Sequence, residues 1–108
     1  MEAIFVYVTV GSAEEAGRIG RALVDEGLAA CANLIGGMWS IYRWQGAVEE
    51  AEEVVLLAKT RPQLFDSVAA RVKELHSYDC PCIVALPIVA AEPAYLRWIM
   101  ESTGIEGA

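Results

Sequence analysis

Chemistry in this 108-residue sequence could begin at one short segment. His76 is the only histidine, Cys80 follows four residues later, and Cys82 two after that. An imidazole and two thiolates would suit a soft or borderline ion such as Cu(I) or Zn(II). In an extended strand, Cys80 and Cys82 would point to one side and Pro81 to the other. The same residues also fit a histidine that caps a helix, favoured by the helix dipole, beside two small packing cysteines. Three ligands fall short of a four-ligand signature, so both readings stay open. The third cysteine, Cys31, has no histidine or basic residue close in sequence to activate it. It reads as a packing residue.

A second group is polar within apolar surroundings. Glu53 and Lys59 begin and end one expected strand, on the face shared with Val55 and Leu57. With Tyr42, Trp44, His76 and Tyr78 they are expected to line a cleft between subunits, since polar groups in an apolar interface converge on a ligand or on each other. An interface ion pair with aromatic anchors is the alternative. Glu49, Glu50, Glu52 and Glu53 could attract cations; a solvated hairpin turn explains them equally well.

The elements that must position these residues follow from pattern. Residues 4–10 are a β-branched and aromatic run of strand length, ended by Gly11-Ser12. Ser12 and Glu15 have capping-box spacing, in which hydroxyl and carboxylate satisfy opposite backbone donors. Ala16, Ile19, Ala22 and Leu23 give the helix an apolar side, and Gly27 is placed to end it. A long strand is expected from Leu28 to about Gln45, kinked at Gly36-Gly37. A hairpin connection follows, built on Gly46 and the acidic pair Glu49-Glu50, and leads to a strand over about 53–60. Pro62 opens a second helix with Phe65, Val68, Ala69, Val72 and Leu75 as its buried stripe. A fourth strand is expected over 82–90, where Pro87 argues for an edge position or a bulge. A last helix runs from Pro93 to Ser102. The order is β-α-β-β-α-β plus a helix, which predicts one α+β domain over residues 1–108: a ferredoxin-like βαββαβ sandwich with an antiparallel sheet and a C-terminal helix.

Such a sheet should alternate apolar and polar residues where one face meets water. Residues 54–58 (Val-Val-Leu-Leu-Ala) and 83–86 (Ile-Val-Ala-Leu) are instead apolar on both faces, and 38–45 carry aromatics on both sides. Eighteen extended residues would span roughly 60 Å, against a radius of gyration of about 13 Å for a domain of this size. A ribbon bearing Trp39, Tyr42 and Trp44 therefore projects and needs a neighbour. A closed homo-oligomer is expected, its copy number open.

Composition narrows the function classes. Fifteen acids against eight bases give a net charge of −7. Without clustered Lys or Arg, no nucleic-acid partner is expected. No segment approaches the roughly 18 consecutive apolar residues of a membrane span, and Met1-Glu2-Ala3-Ile4 lacks a basic leader. Three cysteines are an odd number at spacings unlike a disulfide framework. A cytoplasmic protein with no membrane partner is expected. No nucleophile–base–orienter set and no phosphate loop is present, so no enzymatic activity and no organic cofactor are expected.

The chain resembles the CutA divalent-cation tolerance family over about residues 4–100. The resemblance is carried by residues 28–33 (Leu-Ala-Ala-Cys-Ala-Asn), 40–46 (Ser-Ile-Tyr-Arg-Trp-Gln-Gly), Glu53, Lys59-Thr60, 75–81 (Leu-His-Ser-Tyr-Asp-Cys-Pro) and 95–98 (Tyr-Leu-Arg-Trp). It implies a ferredoxin-like homotrimer assembled through long β2–β3 hairpins, a link to tolerance of copper or another divalent cation, and no established enzymatic activity. His76, Tyr78 and Pro81 match the family's H-P-Y-x-x-P-E stretch, with Ser77 replacing its first proline and Cys82 its glutamate. The family's copper ligands correspond here to Val10 and Leu75-His76, so His76 alone is kept and Cys80 and Cys82 are the candidates to replace the rest. The alternative function is a trimeric small-molecule sensor or signalling module with ligands in the intersubunit clefts.

Overall fold

A computed structural model describes residues 1–104 of the chain. The single domain expected over 1–108 therefore ends in four residues that lie outside the described part. Strand β1 (Ala3–Val10) alternates cleanly: Val6, Val8 and Val10 are fully buried while Phe5, Tyr7 and Thr9 are half-buried on the other face. Helix α1 (Ala13–Asp25) opens on Ser12, whose Oγ accepts the Glu15 N–H at 3.2 Å, and the chain leaves it through Gly27 at φ +74°. Ala16, Ile19 and Leu23 on its buried stripe pack against the sheet. Only half of the expected capping box forms. The Glu15 carboxylate turns away from Ser12 to accept from the backbone N–H and the hydroxyl of Ser77, at 2.7 and 3.0 Å.

Strand β2 (Cys31–Trp44) starts three residues later than expected, and β3 (Ala47–Thr60) starts six residues earlier. Glu49 and Glu50 are consequently strand residues. They sit opposite Tyr42 and Ile41, and the connection shrinks to Gln45-Gly46. Both turn residues have positive φ, +50° and +83°, the requirement of a two-residue hairpin whose twist matches its strands; Gly46 meets it without strain. The kink expected at Gly36-Gly37 is a register shift between Ile35 and Met38.

After a 3-10 turn at Pro62–Leu64, helix α2 (Phe65–Leu75) buries Val68 and Val72, and His76 caps it by donating its backbone N–H to the Val72 carbonyl. Strand β4 is shorter than expected, Ile83–Ile88, and leaves Cys82 outside; among the described residues it pairs with β1 alone, so Pro87 does stand in an edge strand. Helix α3 (Pro93–Ser102) completes the fold.

The sheet order is β2-β3-β1-β4 with every neighbouring pair antiparallel. Strands β1 and β2 therefore run parallel on either side of β3, joined through α1, and β3 and β4 run parallel on either side of β1, joined through α2. This is the expected ferredoxin-like α+β arrangement. Residues of α1 and α2 cover the Val6–Val8–Leu56–Ala58 face. Helix α3 packs on the opposite face, at one end only, where Ile99 meets Ala3 and Ala30. Since β1 stops opposite Val54, the hairpin beyond Glu53 has no third strand beside it among the described residues. It accounts for much of the 45 Å long axis, against 27 and 22 Å in the other directions.

Candidate functional site

The root of that hairpin faces the loop that follows α2, and a cavity of about 610 Å³ lies between them. Strand alternation places Ser40, Tyr42 and Trp44 of β2 on one wall, with Glu49 and Glu53 of β3 beside them. Tyr78, Asp79, Cys80 and Cys82 form the opposing wall. Thr9 completes it from β1.

His76 organises this loop from behind. Its side chain is fully buried, and both ring nitrogens are committed: Nε2 donates to the Thr9 carbonyl at 2.8 Å, and Nδ1 accepts the Tyr78 backbone N–H at 3.0 Å. The nearer Glu15 oxygen stands 3.7 Å from Nδ1. The imidazole also lies against the Tyr78 ring, with centroids 4.7 Å apart. Tyr78 in turn donates its phenol to Glu53 Oε2 at 2.7 Å, which fixes the loop to β3. Burial, followed by the hydrogen bond to the Glu53 carboxylate, pushes the Tyr78 phenol well above its ordinary pKa. Deprotonation would set two anions against each other.

The expected ligand set is not gathered within the chain. Among the described residues, no three His, Cys, Asp or Glu side chains converge on a point that could hold an ion. His76 has no free nitrogen to offer. Cys80 and Cys82 flank Pro81 in a loop, so the strand geometry expected to align their thiols is absent. Both residues are exposed overall and line the cavity, with the Cys82 thiol partly covered. Burial and the nearby Glu53 charge raise the Cys82 pKa, which disfavours the thiolate a metal requires.

Of the expected cleft residues, Tyr42, Trp44, Glu53 and Tyr78 are brought together. Lys59 is not. It shares the Glu53 face, but six strand residues separate them by roughly 20 Å. Its ammonium donates to Asn33 Oδ1 at 2.7 Å and lies 5.6 and 5.9 Å from the Phe5 and Tyr95 ring centroids. Cys31 joins that second group, 3.7 Å from Lys59 Nζ and 3.8 Å from the Tyr95 hydroxyl. Three lining residues, Thr9, Ser40 and Asp79, carried no signal of their own in the sequence. Glu15 did carry one, as a capping residue, but its role in holding Ser77 depends on contacts 62 positions away.

The geometry thus defines a ferredoxin-like α+β protein with an unaccompanied hairpin and an acidic, aromatic cavity at its root. A sequence model of the CutA1 divalent ion tolerance protein family matches residues 4–102, and the chain belongs to that family. The divalent-cation tolerance protein CutA of Thermus thermophilus is 52% identical over 99 residues, covering 92% of this chain and 96% of that one. The CutA protein of Archaeoglobus fulgidus is 42% identical over 98 residues, covering 91% and 95%. The crystal structure of CutA1 from Oryza sativa superposes with a TM-score of 0.94 at 40% identity, over 98% of this chain and 97% of that one. The chain spans 56% and 55% of the chloroplastic CutA proteins of Oryza sativa and Arabidopsis thaliana.

Proposed function

We propose that this member of the divalent-cation tolerance family works as a homotrimer in tolerance of copper or another divalent cation. The working site on this reading is the cavity at the hairpin root, completed by a neighbouring copy. One observation carries it: past the end of β1 the hairpin presents Trp39, Ile41, Tyr42, Trp44 and Val48 to solvent, each between 41 and 66% exposed. A two-stranded ribbon with that much apolar surface is not stable alone. The nearby open sheet face adds Ile35, Val84 and Leu86. Three copies, each laying its hairpin against the next, would cover both.

A cation on this reading meets the Cys80 and Cys82 thiols, the soft ligand type that selects Cu(I), while His76 holds the loop instead of coordinating. The role is one of binding, not catalysis, because the sole histidine is tied at both nitrogens. A reducing, cytoplasmic setting suits three free thiols.

Sedimentation velocity and native mass spectrometry at micromolar concentration test the assembly; a stable, folded monomer would refute it. Titration of Cu(I) and Zn(II) tests the ligands. Binding should vanish in Cys80→Ser/Cys82→Ser and survive in His76→Asn; equal weak heats in all three proteins would remove metal binding at the loop. The second reading, a small-molecule sensor, is favoured by the size and aromatic lining of the cavity.

A further inference from the structure

Away from the hairpin root, the fold brings two different nucleophiles into contact. Cys31 opens β2, and Lys59 is its direct partner on β3. The Lys59 ammonium donates to Cys31 Sγ at 3.7 Å, and the Tyr95 hydroxyl stands 3.8 Å from the same sulfur. Among the described residues this is the only hydrogen bond between a lysine and a thiol. The sequence could not show it, because 28 positions separate the two residues.

The chain itself holds the pair in place. The Ala30 N–H donates to the Lys59 carbonyl at 2.8 Å, and the fully buried Thr60 donates its hydroxyl to the Leu28 carbonyl at 2.7 Å. Asn33 Oδ1 and the Phe5 and Tyr95 rings surround the ammonium. All these contacts lie within one chain, and cross-strand partners stay adjacent whether or not another copy packs on this face. Both residues are half-buried, so a reagent as small as a peroxide has only a short way to travel.

A cation on sulfur steadies the negative charge that sulfur carries as it attacks an electrophile. Attack on hydrogen peroxide forms an S–O bond, breaks the O–O bond and releases water. Cys31 is left as a sulfenic acid, oxidised by two electrons. Sulfenic acids condense with whichever thiol or nitrogen lies next to them, and here that neighbour is the Lys59 amine. After its extra proton passes to solvent, the nitrogen attacks sulfur. An S–N bond forms, the S–OH bond breaks, and hydroxide leaves as water with a second proton from the amine. One thiol, one ammonium and one peroxide thus give one sulfenamide, two waters and one proton.

We infer that Cys31 and Lys59 are a modification site, at which peroxide crosslinks the first residue of β2 to β3 in a bond that thiols reverse. The crosslink also removes the positive charge that Asn33 and the two rings now hold. It does not depend on the metal or trimer readings, since neither residue lines the hairpin-root cavity.

The test exposes the full chain to hydrogen peroxide in mildly alkaline buffer. Intact mass and digestion with a lysine-specific protease, without reductant, read the product. The only lysines are Lys59 and Lys73, so the unmodified chain is cut twice. The crosslink should remove two hydrogens and abolish the cut after Lys59 but not the cut after Lys73, and dithiothreitol should restore both mass and cut. Cys80→Ser/Cys82→Ser should lose the same two hydrogens, which separates the crosslink from a disulfide between those thiols. Adding Lys59→Arg, which keeps a cation beside the sulfur, should stop the reaction at a sulfenic acid that dimedone traps. The wild-type digestion needs no variant to fold. Oxidation of Cys31 to sulfinic or sulfonic acid with Lys59 still cut would overturn the inference. So would a Cys31 that stays a free thiol while Cys80 and Cys82 are oxidised, the result expected if a neighbouring copy seals the pair.

Discussion

The sheet contains two regions of similar composition and opposite fate. Around Val6, Val8, Leu56 and Ala58, β-branched and aliphatic residues are fully buried under α1 and α2. Further along the same sheet, Trp39, Ile41 and Trp44 of β2 and Val48 of β3 are just as apolar and stand in solvent. Local propensity for extended structure is satisfied in both. They differ in whether the chain carries a helical layer to cover them. Apolar surface that its own chain hides specifies a fold, whereas apolar surface that its own chain leaves bare specifies a partner.

The strongest way to break this contrast is to weaken the covered region. Leu56→Ala removes a fully buried side chain between α1 and the centre of the sheet, and should cost about 2–5 kcal/mol in chemical denaturation. It should loosen the subunit itself. Trp39→Ala/Ile41→Ala in the bare region should behave in the opposite way. Far-ultraviolet circular dichroism should change little, while association weakens by about 2 kcal/mol or more per hot-spot residue, read as dissociation on dilution in sedimentation. If the double variant unfolds and stays associated, the division between folding and assembly surfaces is wrong.

The loop that joins the two regions sharpens the contrast through pH. The Tyr78 phenol has its folded pKa raised above the ordinary value of 10.0, so its contribution is fully present below that value and is lost as pH rises beyond it. Stability should fall with pH above about 10, and Tyr78→Phe should flatten that alkaline slope at a cost of about 1 kcal/mol at neutral pH for the lost hydrogen bond to Glu53. An unchanged slope, measured by urea denaturation between neutral and alkaline pH, would mean that Tyr78 titrates alike in the folded and unfolded chain. The smallest effect belongs to Ser12. Ser12→Ala removes one cap hydrogen bond from α1 and should lower thermal stability by about 1 kcal/mol or somewhat less, without altering assembly.

Much of this was legible in the residues. The bulge at Gly36-Gly37, the edge position implied by Pro87 and the order of elements all came from local chemistry. The acidic pair Glu49-Glu50 misled because glutamate is a poor strand former in isolation; here the pairing with Ile41 and Tyr42 overrides propensity. His76 misled for a different reason. Its spacing from Cys80 and Cys82 is a ligand's spacing, and nothing in a one-dimensional pattern shows that the Thr9 carbonyl, 67 positions away, already holds its Nε2.

What the amino-acid order determined alone was periodicity: which residues share a strand face or a helix stripe, where backbone punctuation falls, and that apolar surface exceeds what one sheet can hide. What only the tertiary structure decided was pairing across distance. It put Lys59 at the far end of the sheet from Glu53 and tied both nitrogens of the sole histidine. Hydrogen bonds and charges act over a few ångströms, and the partners that complete them are set by how strands and helices stack, not by their neighbours along the chain.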